Sequence, residues 1–533
     1  MERLKKPVYS YVVQHAETFP DKTAINFYGN EISYKHLIED INRIAAYMKA
    51  KGIKKGDTVA IYLQNCPQYF IVYYAIQQLG GIVGPCNPMF KEYELSYQLK
   101  DLEAVMLITT PDLYPIYEAI SNNTNVETVI LTSYKDYLPE KPYPEFPEEI
   151  TSVPSNYKDS WKDILMENHP LQEMADIDLE EDVGLIIYTS GTTGNPKGAM
   201  LTYGNSEYEG YAVARNFMIT ENDVMISVMP VCHIAGKLVG LLSSLIAGST
   251  IVLFSRFSAK GMLQAIEKYD VTFLYTTTPM NLQMLKEPLA KKLQNNRLRI
   301  NITTSFGIQL TEEISEDWER TMGIPMMEFA YGMSETHTGN TLMPPQQIKY
   351  GTVGKPTEGT EILVVDPNDY TRKLAAGEEG MILVKGPSVF KGYKGRIEET
   401  NNNFFGEFFI TGDMGKVDEE GYLYFLGRFK ELIKCSGYSV YPEEVEKMLI
   451  QHPAISQAAV IGIPDAVRGE SVKAFVVKTK EKDVSEIDII NWAKSKMAAY
   501  KYPREVEFIE ELPQTNSGKV LRRKLKENET SRL

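Results

Sequence analysis

The run Val183-Gly-Leu-Ile-Ile187, followed by Tyr188-Thr-Ser-Gly-Thr-Thr-Gly-Asn-Pro-Lys-Gly198, decides how this chain folds and what it can hold. The first five residues are apolar and of buried-strand length. The next eleven turn polar: Gly191, Gly194 and Gly198 alternate with the hydroxyls of Thr189, Ser190, Thr192 and Thr193 and with the Lys197 ammonium. Glycines let the backbone turn and approach closely, and hydroxyls, amides and a cation supply donors. A polyphosphate needs that combination. The loop is not a Walker loop, because no glycine lies five residues before a Gly-Lys-Ser/Thr.

On the N-terminal side, strand-like Thr58–Leu63 and Ala104–Ile108 alternate with helix-like Gln68–Leu79. Strands alternating with helices predict a largely parallel sheet. The Pro-rich passage between Ser133 and Trp161 predicts a long surface excursion. The apolar run Leu238–Phe254 carries Gly248-Ser-Thr250, so it reads as a buried helix, a turn and a strand. A membrane span would need about 20 apolar residues without that break. From Gly351 to Gly427 short strands with frequent glycine predict a β-rich subdomain. Beyond Arg428-Phe-Lys430 come a helix from Pro442, strands Ala458–Ile463 and Val472–Val477, a helix Ser485–Met497 and a strand Val506–Ile509. The expected fold is therefore α/β. Its large N-terminal part, residues 1–429, holds two α/β subdomains and the β-rich subdomain; a small α+β domain spans residues 430–533.

The 533 residues allow three or four core units. A net charge of −15 argues against nucleic acid or an anionic membrane as the main partner. Residues 431–533 carry 17 basic and 16 acidic side chains, so the acidity sits entirely in the large part, and the small one is better suited to approach an anion. Cys66, Cys86, Cys232 and Cys435 show no C-x-x-C spacing, which excludes a zinc ribbon and fits a reducing compartment. The N-terminus carries no signal-peptide run. A cytoplasmic location is expected, with the peroxisome as the alternative suggested by the terminal Ser531-Arg532-Leu533.

Further landmarks follow in order: Lys55-Gly-Asp-Thr-Val-Ala60, Pro85-Cys-Asn-Pro88, the phosphate loop, Pro230-Val-Cys-His233, Tyr331-Gly-Met-Ser-Glu335, Thr411-Gly-Asp413, Gly427-Arg-Phe-Lys430 and Pro513-Gln-Thr-Asn-Ser-Gly-Lys519. With them the chain resembles the adenylate-forming superfamily of acyl-CoA synthetases, luciferases and adenylation domains, over nearly its whole length. The chemistry of each landmark stands beside the role the resemblance implies. Glu335 is a natural magnesium ligand near phosphate oxygens. Asp413 has two oxygens for two ribose hydroxyls, and Arg428 can donate to the same sugar. By the resemblance, Tyr331 and Gly332 lie against the adenine with Gly307, Ser334 lies near the α-phosphate, and Thr189–Gly194 with Lys197 hold the phosphates. Lys519 is the implied catalytic lysine, its ammonium meeting charge that builds only during adenylation.

The resemblance also implies that Lys430 is the hinge of a mobile C-terminal domain. It places Lys434, Ser436 and Gly437 beside the CoA tunnel. His233, Phe306 and His337 would line the acyl pocket. Two departures bear on that pocket: Phe306 in Ser305-Phe-Gly-Ile-Gln-Leu310 replaces a small residue, and Phe329-Ala330 replaces an amide-Gly pair. The implied activity is an AMP-forming acid–thiol ligase using ATP, Mg2+ and CoA. Its expected substrate is a fatty acid, because Gly406–Asp413 and the stretch to Glu446 look like that branch. An aryl-acid CoA ligase and a stand-alone enzyme loading a carrier protein are the alternatives. The expected partners are small molecules, and a homodimer is compatible with the sequence.

Overall fold

The computed structural model describes residues 3–189, 196–293, 296–306, 308–435, 438–465, 468–479, 484–514 and 520–530. Two seven-stranded sheets organise the large N-terminal domain. In the first, Met326–Glu328, Ile300–Thr304, Phe273–Thr277, Val224–Ser227, Thr250–Leu253 and Thr23–Phe27 run parallel, and Asn30–Ser33 closes the edge antiparallel. In the second, Val183–Thr189, Ile82–Pro85, Thr58–Tyr62, Met106–Thr109 and Thr128–Leu131 are parallel. The alternation in the sequence predicts these parallel ladders.

The helix Pro67–Gln78 is buried at all twelve positions, which its all-round apolar sequence requires. It contributes to one continuous core with the helical segment Leu238–Ala247 and residues of both sheets. Leu238–Ala247 is helical throughout, with a wide π turn over Leu238–Ser243. Gly248 then adopts φ +73°, a left-handed turn that a side chain would strain, and the strand Thr250–Leu253 follows. The predicted helix, turn and strand are all present.

The Ser133–Trp161 passage differs from expectation. It is mostly irregular, yet Tyr134 and Trp161 are buried, and Phe146 packs its ring against Phe27, Tyr28 and Tyr134. Its aromatics bury enough surface to seal the core, so prolines there mark irregular backbone rather than a free excursion.

The predicted β-rich stretch forms an antiparallel sheet built around Glu361–Asp366, Gly380–Lys385, Phe408–Val417 and Leu423–Arg428. A single turn, Phe429–Glu431, leads to the small C-terminal domain. There Ile455–Asp465 pairs along its length with Gly469–Lys478, flanked by helices Pro442–Leu449 and Glu486–Lys496. Its core residues, among them Val445, Val460, Val472 and Ile489, form a cluster of their own. Among the described residues no helix is long and apolar enough to cross a membrane.

Candidate active site

A cleft of about 2640 Å3 opens where the parallel strands end at their carboxyl edges, between the large and small domains. Pro85, Thr189, Thr277 and Thr304 line it, each the last residue of its strand. Also along the cleft lie Lys197, His233, Phe306, Tyr331, Gly332, Ser334, Glu335, Asp413, Arg428 and Lys430. These residues are scattered through the sequence from Pro85 to Lys430, and folding brings them to one surface.

The antiparallel register pairs Thr189 with Lys197 across two strands, Val183–Thr189 and Lys197–Thr202. The loop residues Ser190, Gly191, Thr192, Thr193 and Gly194 join those strands and lie outside the described residues. Thr202 caps the following helix: its hydroxyl accepts from the Asn205 amide at 3.1 Å, and Asn205 Oδ1 accepts from the Thr202 amide at 2.8 Å. The Lys197 ammonium pairs with Glu399 and sits 5.1 Å from the centre of the Tyr393 ring.

Asp413 and Arg428 face each other because the hairpin register sets them opposite. Arg428 Nε lies 2.7 Å from Asp413 Oδ1, and Tyr331 Oη donates to Asp413 Oδ2 at 2.9 Å. The Asp413 carboxylate, followed by burial that acts the other way, leaves the Arg428 guanidinium more basic than usual. Gly332, at φ +157°, passes so close to Thr338 that a Cβ would stand 2.2 Å from its carbonyl oxygen. Any side chain there would push the Tyr331 turn out of the cleft.

Glu335 is nearly buried, which raises its carboxyl above the ordinary range, and Tyr393 Oη donates to its Oε1 at 2.8 Å. Among the described residues no group of three or more His, Cys, Asp or Glu side chains could hold a metal. One carboxylate suits a magnesium ion that takes its other ligands from substrate phosphates and water. Glu335 fits that donor set.

His233 caps the short helix Ile234–Lys237, its Nδ1 accepting from the Ala235 amide at 3.4 Å, and its ring lines the cleft. Phe306 also lines it, half-buried, and belongs to no apolar core cluster. His337 is a correction. It is fully buried and is not among the cleft-lining residues; its Nε2 lies 3.1 Å from Ser206 Oγ, and burial pulls its pKa down to about 3. Its left-handed turn, φ 55°, carries it inward, so it forms no wall of an acyl pocket here. Lys434 is exposed on the strand Ile433–Cys435 and likewise does not line the cleft. Gly307, Ser436, Gly437 and Lys519 lie outside the described residues. Gln514 and Val520, which flank Lys519, both line the cleft.

Four residues at or behind this cleft escape any motif. Tyr393 lines it and Glu399 reaches its edge through the Lys197 ion pair; both come from the segment that begins with the strand Gly392–Tyr393, which pairs with Lys197–Thr202, and neither has a local signature. Glu328 lines it and holds the Ser305 loop: the Ser305 amide donates to its Oε1 at 3.1 Å and the Ser305 hydroxyl to its Oε2. Burial pushes the Glu328 carboxyl up to about 7. Its one sequence signal is its place beside the altered Phe329-Ala330 pair. Lys237, behind the wall, is the fourth.

A divided α/β chain with a glycine- and hydroxyl-rich sequence between two paired strands, the buried Glu335 carboxylate and an Asp–Arg pair along one interdomain cleft has the build of an adenylate-forming enzyme. The profile of the AMP-binding enzyme family matches residues 12–394, and that of the AMP-binding enzyme C-terminal domain matches residues 444–519. The chain belongs to this family, and it is an AMP-forming acid–CoA ligase. It is 36% identical, over 98% of its length and 95% of the relative's, to a long-chain-fatty-acid–CoA ligase of Bacillus subtilis. It is 31% identical to a crotonobetaine/carnitine–CoA ligase of Citrobacter koseri, over 96% and 97% of the two chains. Among solved structures, the o-succinylbenzoate CoA synthetase of Bacillus subtilis in complex with ATP and magnesium matches with a TM-score of 0.82, 29% identity and coverage of 98% and 99%.

Proposed function

We propose that the chain activates a fatty acid. The acid's carboxylate attacks the α-phosphorus of ATP and pyrophosphate leaves; the CoA thiol then attacks the acyl adenylate and AMP leaves. The observation that carries this reading is the convergence of Lys197, Tyr331, Glu335, Asp413 and Arg428 on one cleft. Asp413 accepts from the ribose hydroxyls, with Arg428 beside it as its ion-pair partner. Tyr331 and Gly332, with Gly307, face the adenine. Lys197, Thr189, Ser190, Gly191, Thr192, Thr193 and Gly194 bind the phosphates, with Ser334 near the α-phosphate. Glu335 would hold magnesium, which neutralises phosphate charge when bound. Lys519 stabilises charge on the reacting oxygens during adenylation.

We assign residues 1–429 to the ATP- and acid-binding domain and 430–533 to the mobile domain, with Lys430 in the Phe429–Glu431 turn as hinge. Rotation there brings Lys434, Ser436 and Gly437 to the thiol path. The hinge faces are close: a Cβ on Gly427 would meet Glu443 Oε2 at 2.2 Å. His233 and Phe306 border the acid.

A second reading, an aryl acid, is favoured by the aromatic lining of Phe257, Tyr275, Phe306 and Phe329. Pyrophosphate release over a panel of fatty and aryl acids, with and without CoA, tests both. Pyrophosphate with no acid of either class overturns the proposal. Adenylation with no thioester formed from CoA would point to a carrier-protein acceptor instead.

A further inference from the structure

The cleft wall carries a cation that this mechanism does not use. Cys232, His233, Ile234, Ala235 and Gly236 all line the cleft, and Lys237 follows directly, one helical turn after His233. Its side chain is completely buried. The ammonium donates to Tyr69 Oη at 3.4 Å and lies 5.2 Å from the centre of the Tyr73 ring and 5.8 Å from that of Tyr69. Among the described residues the one ionisable neighbour that favours its charge is the Cys232 thiol, which burial keeps neutral with a pKa of about 11. His337, near it on another side, is neutral as well and leaves Nδ1 without a hydrogen-bond partner. Behind the wall thus lie two bases, two phenols and the Ser206 hydroxyl, and among the described residues no carboxylate is paired to the lysine.

A buried ammonium without an anion is costly, and methionine or leucine would fill the same space at no such cost. We infer that Lys237 sets acid specificity: the fatty-acid substrate carries a second carboxylate, whose charge the protonated lysine attracts from behind the Cys232–Gly236 wall. The inference rests on the acid–CoA ligase reading and names the class of acid for that same site. Attraction through a dry wall is not screened as it is in water, so it discriminates even without direct contact. At about 1.5 Å per residue the chain advances about 6 Å between His233 and Lys237. With the reacting carboxylate beside His233, the second group therefore stands a few carbons away.

The test uses the full chain at pH 6, where Lys237 carries its proton, and three sets of length-matched acids ending in methyl, carboxylate or trimethylammonium, assayed for pyrophosphate release and for thioester formation. Expected kcat/KM values favour the carboxylate-ended acid over the methyl-ended one by about tenfold to a hundredfold, with the cation-ended acid lowest. Lys237→Met should abolish that order while keeping turnover of the methyl-ended acid and without lowering the melting temperature. Wild-type preference for methyl-ended acids overturns the inference and needs no variant; so does an order that survives Lys237→Met. A hydroxyl-ended acid preferred to the dicarboxylate would overturn it too, replacing charge by hydrogen bonding as the selector. Failure of every acid to release pyrophosphate would overturn the ligase reading, and the inference with it.

Discussion

Replacing Lys237 by methionine should stabilise the protein, by an amount that depends on pH. Burial pulls the Lys237 ammonium from its ordinary 10.5 down to about 7. The unfolded chain returns it to water, so the folded state binds the proton more weakly. Below pH 7 both states are protonated, and folding bears the whole cost of desolvating the charge, about 5 kcal/mol for the shift between those values. Between pH 7 and 10.5 the folded amine is neutral while the unfolded one still takes a proton, so wild-type stability rises with pH. The residual cost at pH 9 is about 2 kcal/mol, and it vanishes above 10.5. Methionine keeps the length and removes the titration, losing the Tyr69 hydrogen bond, worth about 1 kcal/mol. The variant's advantage should therefore shrink by about 3 kcal/mol from pH 6 to pH 9. His337 is neutral in the folded state but takes up a proton in the unfolded chain near pH 6, so it adds the same slope to both proteins and cancels from their difference. Trp161 and Trp318, both fully buried in the large domain, report its unfolding by fluorescence in urea. Parallel pH profiles for the two proteins, or a variant less stable at pH 6, would refute the buried, unpaired ammonium.

Four further outcomes are expected. Lys519→Ala should cut adenylation about a hundredfold to a thousandfold while sparing thioester formation from supplied acyl adenylate; equal loss in both half-reactions removes it from the adenylation step. Gly437→Trp should do the reverse and let acyl adenylate accumulate, and normal thioester turnover would take Gly437 away from the thiol path. Phe306→Gly should move the acid optimum towards longer chains, two extra methylenes gaining roughly tenfold; a lowered melting temperature with an unchanged chain-length profile would show that the ring only packs. Glu399→Gln should release Lys197 from its ion pair and lower the KM for ATP by about two- to fivefold, a modest effect because the pair is partly solvated; an unchanged KM would mean the pair does not compete with phosphate.

The elements that could be read from the sequence are those whose burial repeats. Val183–Ile187 and Leu238–Phe254 announce themselves because every apolar side chain in them has the same destination. The C-terminal helices and strands show the same regularity. The strand Lys197–Thr202 gave no such sign. It begins at the lysine of a polar loop, and its partner across the ladder decides its conformation. The Ser133–Trp161 passage misled because proline records backbone irregularity, whereas Tyr134, Phe146 and Trp161 record burial, and the two signals are independent.

At the site, motifs located side chains that act at the ends of strands or in tight turns, where short polar sequences must take one shape. Thr411-Gly-Asp413 and Gly427-Arg428 are such cases, and the hairpin register turns two separate motifs into one ion pair. His337 shows the limit of this reasoning. It lies two residues beyond Glu335, yet His337 itself is left-handed, so Glu335 faces the cleft while the His337 ring enters the packing against Ser206. Lys237, Glu328 and Glu399 show the complementary limit. Each is a single charged residue in an unremarkable stretch, and its significance comes from what folding places, or fails to place, around it. A lysine four positions after His233 reads in sequence as a solvated end of an apolar helix. Only its enclosure by Tyr69 and Tyr73, with no carboxylate paired to it among the described residues, turns that lysine into a question about the acid.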